Sequence, residues 1–314
     1  MNTLTSDILR QEYDLLIIGG GPAGLTAAAY AIRKRIETML ISVDLGGKTN
    51  YQFRLPDVDT HLIINGQETV SKFRDQIEYL DFARHIGKVT KLERKRNKFI
   101  ATTGDRTIKA RAAIIATGVS PKPLKVPGEV EFLGHGVSYS TVSHAPVFVD
   151  MEVALVGDGE RALIAAAELA QVARKVSIVG VSGRYVNSPL GKKVKASGKA
   201  VFLNDYSVKE ILGDDSPDRI ILKSKRGKKE MVIPVKGVFV ELGYIPNSQP
   251  FSRLVKTLPD GRIRIDENNQ TSVPGLFAAG DVTDVQAQQV IIALGEGANA
   301  ALNAYNYLLG IGIT

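Results

Sequence analysis

The chain has 314 residues, enough for one or two domains, and no cysteine, which excludes disulfides, thiolate nucleophiles and cysteine-ligated metals. Its net charge of +7 favours a solvated basic surface and is also compatible with an acidic partner such as an electron-carrier protein. The absence of tryptophan argues against nucleic-acid binding. No apolar run could span a membrane and residues 1–11 are too polar for a signal peptide, so we predict no membrane association and a cytoplasmic location.

The N-terminal region has the pattern of a dinucleotide-binding unit. Residues 13–18 (YDLLII) are a short apolar run that predicts a buried strand, and residues 19–24 (GGGPAG) follow as a glycine turn. A helix rich in small residues is predicted over 25–32 and a second strand over 37–43. Strand, glycine turn, helix and strand in this order predict a bound dinucleotide rather than an ordinary glycine-rich turn.

Each glycine of the turn has a separate reason to be there. Gly19 permits the tight turn, Gly21 lets a pyrophosphate approach the backbone, and Gly24 lets the helix pack closely on the sheet. The N–H groups at the start of the helix and the positive end of its dipole would then face the phosphates.

The segment after the second strand offers two candidates for holding the adenosine ribose. In such units an acid near the end of this strand commonly binds the ribose. Ser42 stands at that point and Asp44 follows two residues later, and either could serve. The pair Gly46 and Gly47 allows the backbone to pass close to a ligand.

The chain then leaves this first domain. An amphipathic helix is predicted over residues 70–80 and a β meander over 86–113. Residues 112–118 (AAIIATG) form an apolar strand that ends in glycine, and several prolines follow it, as is typical of a domain exit.

A second glycine unit follows. A strand is predicted over residues 152–156, a G-x-G-x-x-A turn over 157–162 (GDGERA), a helix over 163–172 and a strand over 175–179. Two such units in one chain imply two nucleotide-type sites, at least by ancestry.

The remaining chain alternates between strands and one long helix. More strands are predicted over residues 206–240, and strand character returns over 263–281, which ends in LFAAGD. The last helix is predicted from about residue 288 to 309.

Histidines are too few and too dispersed to form a metal centre. His61, His85, His135 and His144 show no metal-ligand spacing, so we predict no metal.

Taken together, residues 13–309 resemble the low-molecular-weight thioredoxin reductases, two-domain flavoproteins of the pyridine nucleotide-disulfide oxidoreductase class. The motifs that carry the resemblance are residues 19–24, 46–47, 116–118, 157–162, 243–247 and 274–281. The resemblance implies an α/β fold of two dinucleotide-binding, Rossmann-like domains with three ββα layers, the second inserted in the first. It places FAD in residues 1–118 and 248–314, a nicotinamide-nucleotide domain in 119–247, and two chains in a homodimer.

Matched residue by residue, the resemblance assigns an FAD site. Its members would hold the pyrophosphate, line the adenosine and the flavin, accept the ribityl hydroxyls and face the flavin ring. They are Gly19, Gly21, Pro22, Ala23, Gly24, Ser42, Asp44, Gly46, Gly47, Lys48, Thr49, Thr117, Gly118, Gly280, Asp281, Gln288, Gln289 and Val290.

The chain departs from the family at its reactive centre. The family carries a C-x-x-C disulfide and then an aspartate; here Ser140, Ser143 and His144 occupy those positions. A hydroxyl cannot form a disulfide, so the resemblance does not extend to thiol exchange with thioredoxin. A new site made of these three side chains, with His144 moving protons, is a weaker hypothesis than a structural role.

Two further departures concern the nicotinamide site and the last helix. The NADPH-specific members have H-R-R where this chain has residues 180–182 (GVS); Arg184 could substitute, and no acid stands there for NADH. The turn keeps Gly157, Gly159 and Ala162, so NADPH, NADH and an empty pocket all remain open. The family's arginine before the last helix is Gln288 here.

We therefore predict an FAD-dependent oxidoreductase without a redox disulfide. It would pass electrons between flavin and NAD(P)H, a ferredoxin-like carrier or a second flavin. The alternative hypothesis is a non-catalytic FAD-binding protein that acts as a sensor or an assembly component.

Overall fold

The computed structural model describes residues 12–56, 58, 66–80, 83–104 and 106–312; His61 and the polar segment 1–11 lie outside them. The strands are β1 Glu12–Ile18, β2 Thr38–Ser42, β3 Arg84–Ile86, β4 Val89–Lys95, β5 Lys98–Thr103, β6 Arg106–Ile115, β7 Val119–Pro121, β8 Val137–Ser138, β9 Glu152–Gly157, β10 Lys175–Val179, β11 Ala200–Leu203, β12 Tyr206–Gly213, β13 Pro217–Ser224, β14 Glu230–Pro234, β15 Gly237–Glu241, β16 Tyr244–Pro246 and β17 Leu276–Ala278. The α-helices are α1 Pro22–Arg33, α2 Gly66–Tyr79, α3 Thr141–His144, α4 Gly159–Val172, α5 Gly183–Val186, α6 Pro189–Ala196 and α7 Val290–Gly310.

The described chain forms two compact units, the second inserted in the first. The first unit contains the described parts of residues 1–50, 65–120 and 245–314. The second contains 121–244 together with the described part of 51–64, which the sequence motifs placed in the first unit. Phe53 explains this difference, because its ring is buried among apolar side chains of the second unit, including Phe148.

The first unit is built on a seven-stranded sheet. Its order is β3-β2-β1-β6-β5-β4, with β17 also paired to β6. Along β1, Leu15 and Ile17 pack into one apolar cluster with α1, α2 and α7, whereas Leu16 and Ile18 pack into a second cluster with the meander. Because both faces of the strand are buried, its sequence is continuously apolar rather than alternating.

The second unit repeats this plan. A parallel sheet of order β11-β10-β9-β15-β8 is accompanied by an antiparallel meander of β12, β13 and β14. Val153 and Leu155 of β9 pack on the side of α4, and Ala154 and Val156 pack on the side of the meander. Each unit is therefore a Rossmann-like arrangement of three layers, as the sequence predicted.

The structure departs from the predicted strand over residues 263–281. Only β17 is a strand there, and Ile263 makes isolated bridges to Thr257 and Thr283. The Asp266 carboxylate accepts hydrogen bonds from the backbone N–H groups of Asn268 and Gln270. This local turn competes with a sheet ladder, which explains why the strand is interrupted.

Within the described ranges, no helix is both long enough and apolar enough to cross a membrane.

Candidate functional site

The first glycine turn leaves an open position at the start of α1. A side chain at Gly24 would overlap the carbonyl oxygen of Gly19, so the helix packs directly on the turn. A Cβ at Gly21, in contrast, would meet no atom within 4 Å. Helix α1 also begins without a side-chain cap, and its first N–H groups therefore remain available for an anion.

Of the two candidates after β2, Ser42 reaches the turn. Its hydroxyl accepts a hydrogen bond of 2.7 Å from the Gly20 N–H, and both groups are buried. Asp44 is exposed and accepts instead from the Gly47 N–H at 2.8 Å. The neutral hydroxyl of Ser42 thus occupies the end of β2, where an acid is expected. The nearby acid, Asp44, instead hydrogen-bonds the backbone of the following loop.

Residues 46–49 pack against the glycine turn. The Gly46 N–H donates to the Gly20 carbonyl at 2.7 Å, and the Thr49 hydroxyl donates to the Gly46 carbonyl at 2.8 Å. Gly47 has a φ of +57° and lies so close that a Cβ there would be 3.2 Å from the Gly21 Cα. The Lys48 ammonium forms an ion pair of 2.6 Å with Asp281, which joins this loop to the end of the chain.

The exit from the first unit is held by an asparagine that the sequence motifs did not single out for a role. The Asn247 side-chain amide donates to the Thr117 carbonyl at 2.9 Å, and the Thr117 hydroxyl donates to the Asn247 carbonyl at 2.8 Å. The Asn247 N–H also bonds the Gly118 carbonyl at 3.0 Å. Gly118 has a φ of +62° and faces open space, since a Cβ there would meet nothing within 4 Å.

A second missed residue, Glu296, supports the Gly280–Asp281 motif. Its carboxylate accepts a hydrogen bond of 2.6 Å from the Gly280 N–H. Burial raises the pKa of Glu296, although this hydrogen bond opposes the shift. The signal in the sequence was an acid in the otherwise uncharged helix α7.

The start of α7 contains an amide without a partner. The side-chain oxygen of Gln288 is buried and has no hydrogen-bond partner within the described part of the chain. Gln289 is the N-cap residue of α7 but makes no side-chain cap, and Val290 is the first helical residue. A buried acceptor is costly unless a donor satisfies it, so this position fits a ligand that carries an N–H group.

These observations agree with an FAD site in the first unit. Helices α1 and α7 both begin without a side-chain cap, so their N-terminal N–H groups suit the phosphates and a polar edge of the flavin ring. The open space beside Gly21 and Gly118 leaves room for a ligand. Asp281 fits less simply, because Lys48 already pairs with one of its oxygens.

In the second unit the two serines of the reactive position face each other. The Ser140 hydroxyl donates to the Ser143 hydroxyl at 2.9 Å, and it also accepts from the Ser143 N–H as the N-cap of α3. The His144 imidazole bonds neither of these two hydroxyls. Its Nδ1 lies 2.7 Å from the Ser138 hydroxyl, and its ring stacks on Phe53 with centroids 4.1 Å apart.

The environment of His144 favours the structural role over proton transfer near neutral pH. Burial lowers the pKa of its imidazole from 6.5 to about 4. The ring is therefore neutral at physiological pH, and its stacking and hydrogen bond give it a packing role.

The second glycine turn carries charged side chains. The Asp158 carboxylate accepts hydrogen bonds from the N–H groups of Gly159 at 2.8 Å and Ser182 at 2.9 Å. Glu241, at the end of β15, lies 3.5 Å from Arg161 and accepts from the Thr141 hydroxyl at 3.1 Å. Burial raises the pKa of Glu241, while Arg161 opposes this shift.

The other nicotinamide candidates lie near this turn. A Cβ at Gly157 would be 3.0 Å from the Cβ of Ala162, so the alanine packs directly against the turn. The Arg184 guanidinium lies 5.5 Å from the centre of the Tyr185 ring, and a Cβ at Gly159 would approach that ring to 3.9 Å.

Among the described residues, no cluster of three or more histidine, aspartate and glutamate side chains has an arrangement that could hold a metal ion.

Comparison with known proteins places this chain in a family. The family model for pyridine nucleotide-disulphide oxidoreductases matches residues 13–297. The alkyl hydroperoxide reductase F protein of Staphylococcus epidermidis is 31% identical over 303 residues, which are 96% of this chain and 60% of that protein. A Bacillus subtilis protein named NADH dehydrogenase is 30% identical over 302 residues, covering 96% of this chain and 59% of that one.

A solved structure shows the same fold. The thioredoxin reductase from Streptococcus pyogenes superposes with a TM-score of 0.86 at 32% identity, and the match covers 96% of this chain and 99% of that chain. The chain spans about 60% of the length of the curated relatives it matches. This chain belongs to the pyridine nucleotide-disulphide oxidoreductase family, with a thioredoxin reductase-like fold and FAD as its cofactor.

Proposed function

We propose that this protein is an FAD-dependent oxidoreductase that exchanges electrons with a partner other than thioredoxin and does so without a redox disulfide. The observation that carries the proposal is the pair of hydroxyls of Ser140 and Ser143, 2.9 Å apart, in a chain without cysteine. A disulfide needs two thiols, so this pair can neither accept electrons nor pass them on.

In this proposal the first unit holds the cofactor through its own backbone. The N–H groups at the start of α1 bind the pyrophosphate beside Gly21, and Ser42 orients the turn through the Gly20 N–H. Asn247 fixes the backbone of Thr117 and Gly118, and Gln288 accepts a hydrogen bond from the ring edge. When bound, FAD supplies two-electron redox chemistry.

The electron donor is NAD(P)H, a ferredoxin-like carrier or a second flavin. The second glycine unit supports a nicotinamide nucleotide, because Gly157, Gly159 and Ala162 keep the spacing of its binding turn. The net charge of +7 suits an acidic carrier instead. A homodimer is part of the same proposal, which sedimentation of the purified protein would test.

One observation favours a second candidate function, a non-catalytic FAD-binding sensor or assembly protein. The groups at the reactive position satisfy one another: Ser140 bonds Ser143, and a neutral His144 bonds Ser138. Such a site needs no reaction partner, so flavin that no physiological donor reduces would favour this candidate.

The test is an anaerobic titration of the purified protein, in which flavin absorbance is followed on addition of NADH, NADPH, reduced ferredoxin or a reduced free flavin. Bleaching by any of these supports the oxidoreductase, whereas bleaching by dithionite alone supports the sensor. In parallel, reduction of oxidised thioredoxin or of a disulfide dye by the parent protein would overturn the claim that no disulfide is used.

The double variant S140C/S143C provides the matched control. Because the two hydroxyls already lie 2.9 Å apart, two thiols in their place should be close enough to oxidise to a disulfide. The free-thiol count would then fall from two to zero on oxidation. On addition of NADH or NADPH, we expect electrons to pass through the flavin to the disulfide of the variant and restore its two free thiols, whereas the parent protein should reduce no disulfide dye.

A further inference from the structure

The structure brings a carboxylate to the end of β10, where the sequence shows neither an acid nor a cation. Residues 180–182 follow that strand as GVS. Asp158, which belongs to the glycine turn instead, accepts a hydrogen bond of 2.9 Å from the Ser182 N–H. Its carboxylate therefore lies between the glycine turn and the end of the second strand of the unit.

This carboxylate is charged at neutral pH. The backbone hydrogen bond from Ser182 is the largest cause that lowers the pKa of Asp158, and the bond from Gly159 adds to it. Both backbone bonds are made to Oδ1, and the Ser182 side chain also hydrogen-bonds the carboxylate. An ionised carboxylate has about four acceptor positions, so Asp158 can still accept a hydrogen bond from a ligand hydroxyl.

Asp158 does not cap α4 in the usual way. An N-cap carboxylate usually accepts from the second or third N–H of its helix. Here it bonds the N–H of Gly159 and reaches across to Ser182. No side-chain acceptor for the N–H groups of Glu160 and Arg161 is seen among the residues described, and these groups suit the pyrophosphate of a dinucleotide.

We propose that Asp158 is the residue by which the second unit selects NADH over NADPH. In nucleotide-binding units of this kind, a carboxylate at the end of the second strand accepts hydrogen bonds from the ribose hydroxyls of NAD. Asp158 reaches that place from the turn. It would bond the free 2′-hydroxyl of NADH and repel the 2′-phosphate of NADPH. The inference rests on the proposed function, since it names the electron donor of that same protein.

Two cations near the turn oppose this selectivity. Arg184 is exposed and lies over the Tyr185 ring, and Lys225 is close enough to lower the pKa of Asp158. Both are long surface side chains, whose charges are screened by water and salt. The carboxylate is fixed by two backbone hydrogen bonds and is not free to move away, so its repulsion of a 2′-phosphate prevails.

The test measures binding without electron transfer. Calorimetric titration of the oxidised, FAD-loaded protein with NAD⁺ and with NADP⁺ should give NAD⁺ an advantage on the order of ten- to a hundred-fold in dissociation constant. In Asp158→Asn the side chain keeps an oxygen for Gly159 and Ser182 but loses its charge. NAD⁺ binding should weaken about tenfold and NADP⁺ binding should tighten, so that the ratio approaches one.

The matched control is Asp215→Asn, the same chemical change at an exposed residue of the same unit, in the loop between β12 and β13. It should leave the NAD⁺ to NADP⁺ ratio at the parent value. A parent protein that binds NADP⁺ as tightly as NAD⁺, or an equal change of the ratio in both variants, would overturn the proposal.

Failure of the inference about Asp158 can be distinguished from failure of the proposed function. If neither nucleotide binds at millimolar concentration, the inference about Asp158 fails, while reduction of the flavin by a carrier protein would still support the oxidoreductase. If NAD⁺ binds selectively but no donor reduces the flavin, the inference stands and the proposed function fails.

Discussion

The two glycine turns are closed by hydrogen bonds that run in opposite directions. In the first unit the turn donates, from the Gly20 N–H to the Ser42 hydroxyl at the end of β2. In the second unit the turn accepts, through Asp158, from the Ser182 N–H after β10. One arrangement places a neutral, buried hydroxyl at the ribose end of the unit, and the other places an exposed carboxylate there.

The middle residue of the turn decides which arrangement forms. A Cβ at Gly20 would overlap the carbonyl oxygen of Asp44, so the first turn admits only glycine. At the same place the second turn accommodates the side chain of Asp158. Glycine spacing therefore specifies the strand–turn–helix backbone, whereas the charge presented to a ligand depends on a position that the motif leaves variable.

The third motif position differs as well. Gly24 lies so close to the turn that any side chain would overlap the Gly19 carbonyl, whereas the second unit has Ala162 there. Helix α1 is therefore packed more tightly on its turn than α4.

Gly24→Ala should have the largest effect of the changes considered. Because the clash is with backbone, α1 must move, and we expect a loss of about 3 kcal/mol or more in the free energy of unfolding. The matched change Ala162→Gly creates no clash and should cost about 1 kcal/mol. Soluble yield and thermal unfolding of the flavin-free proteins measure both, and equal losses would contradict the difference in packing.

Gly21→Ala tests the cofactor position rather than the fold. Its φ of −72° suits alanine and no atom lies within 4 Å of the new Cβ, so stability should change by less than about 0.5 kcal/mol. The methyl group would occupy space that the pyrophosphate needs. We expect FAD affinity to fall at least about tenfold, measured by quenching of flavin fluorescence.

The control for this prediction is Gly227→Ala, another glycine with open space around it, in the hairpin between β13 and β14. It should retain parental FAD affinity. Unchanged affinity in Gly21→Ala would show that the cofactor does not approach this turn.

The fold was predictable from the sequence because the hydrophobic periodicity and the positions of the glycine turns agree in both units. Strand β1 is buried on both faces, so it appears as a continuous apolar run, and a glycine turn follows it directly. The interrupted strand around Ile263 was not predictable in this way, because an Asp266 turn competes with the sheet ladder.

The candidate sites were predictable to a lesser extent. The sequence indicated that Ser42 or Asp44 would stand near the turn, but only the structure shows Ser42 on the Gly20 N–H. The sequence did not indicate that Asp158 would lie near the end of β10. It precedes its partner Ser182 by 24 residues, and such a separation carries no periodic signal. The neutrality of His144 depends on burial against Phe53, which is also distant in sequence.

The contrast between the units extends to pH dependence through His144. The unfolded chain takes up a proton on this histidine near pH 6.5, but burial keeps the folded pKa at about 4. The free energy of unfolding therefore falls as pH decreases from 6.5 to 4, by an amount on the order of 2 kcal/mol. His144→Phe keeps a ring against Phe53 and should reduce this fall, measured as urea midpoints at pH 7 and pH 4.5.

Part of the slope should remain in His144→Phe, because burial also lowers the pKa of His85 in the first unit. Ser140→Ala is the control: it removes a cap of α3 but leaves the imidazole in place, so it should lower stability at both pH values and keep the parental slope. If His144→Phe keeps the parental slope, the His144 imidazole of the parent protein must already be protonated in the folded state at pH 4.5.

The two opposed hydrogen bonds can themselves be cut, one in each unit. Ser42→Ala leaves the buried Gly20 N–H without an acceptor, which should cost about 1–3 kcal/mol. Asp158→Ala frees the N–H groups of Gly159 and Ser182 at an exposed turn, where water can replace the carboxylate, and should cost about 1 kcal/mol or less. Amide hydrogen exchange of peptides around Gly20 and Ser182 resolves the two units separately, because each variant should accelerate exchange only in its own turn. Slower exchange or a smaller cost at Gly20 than at Ser182 would reverse the comparison, since it would place the water-accessible turn in the first unit.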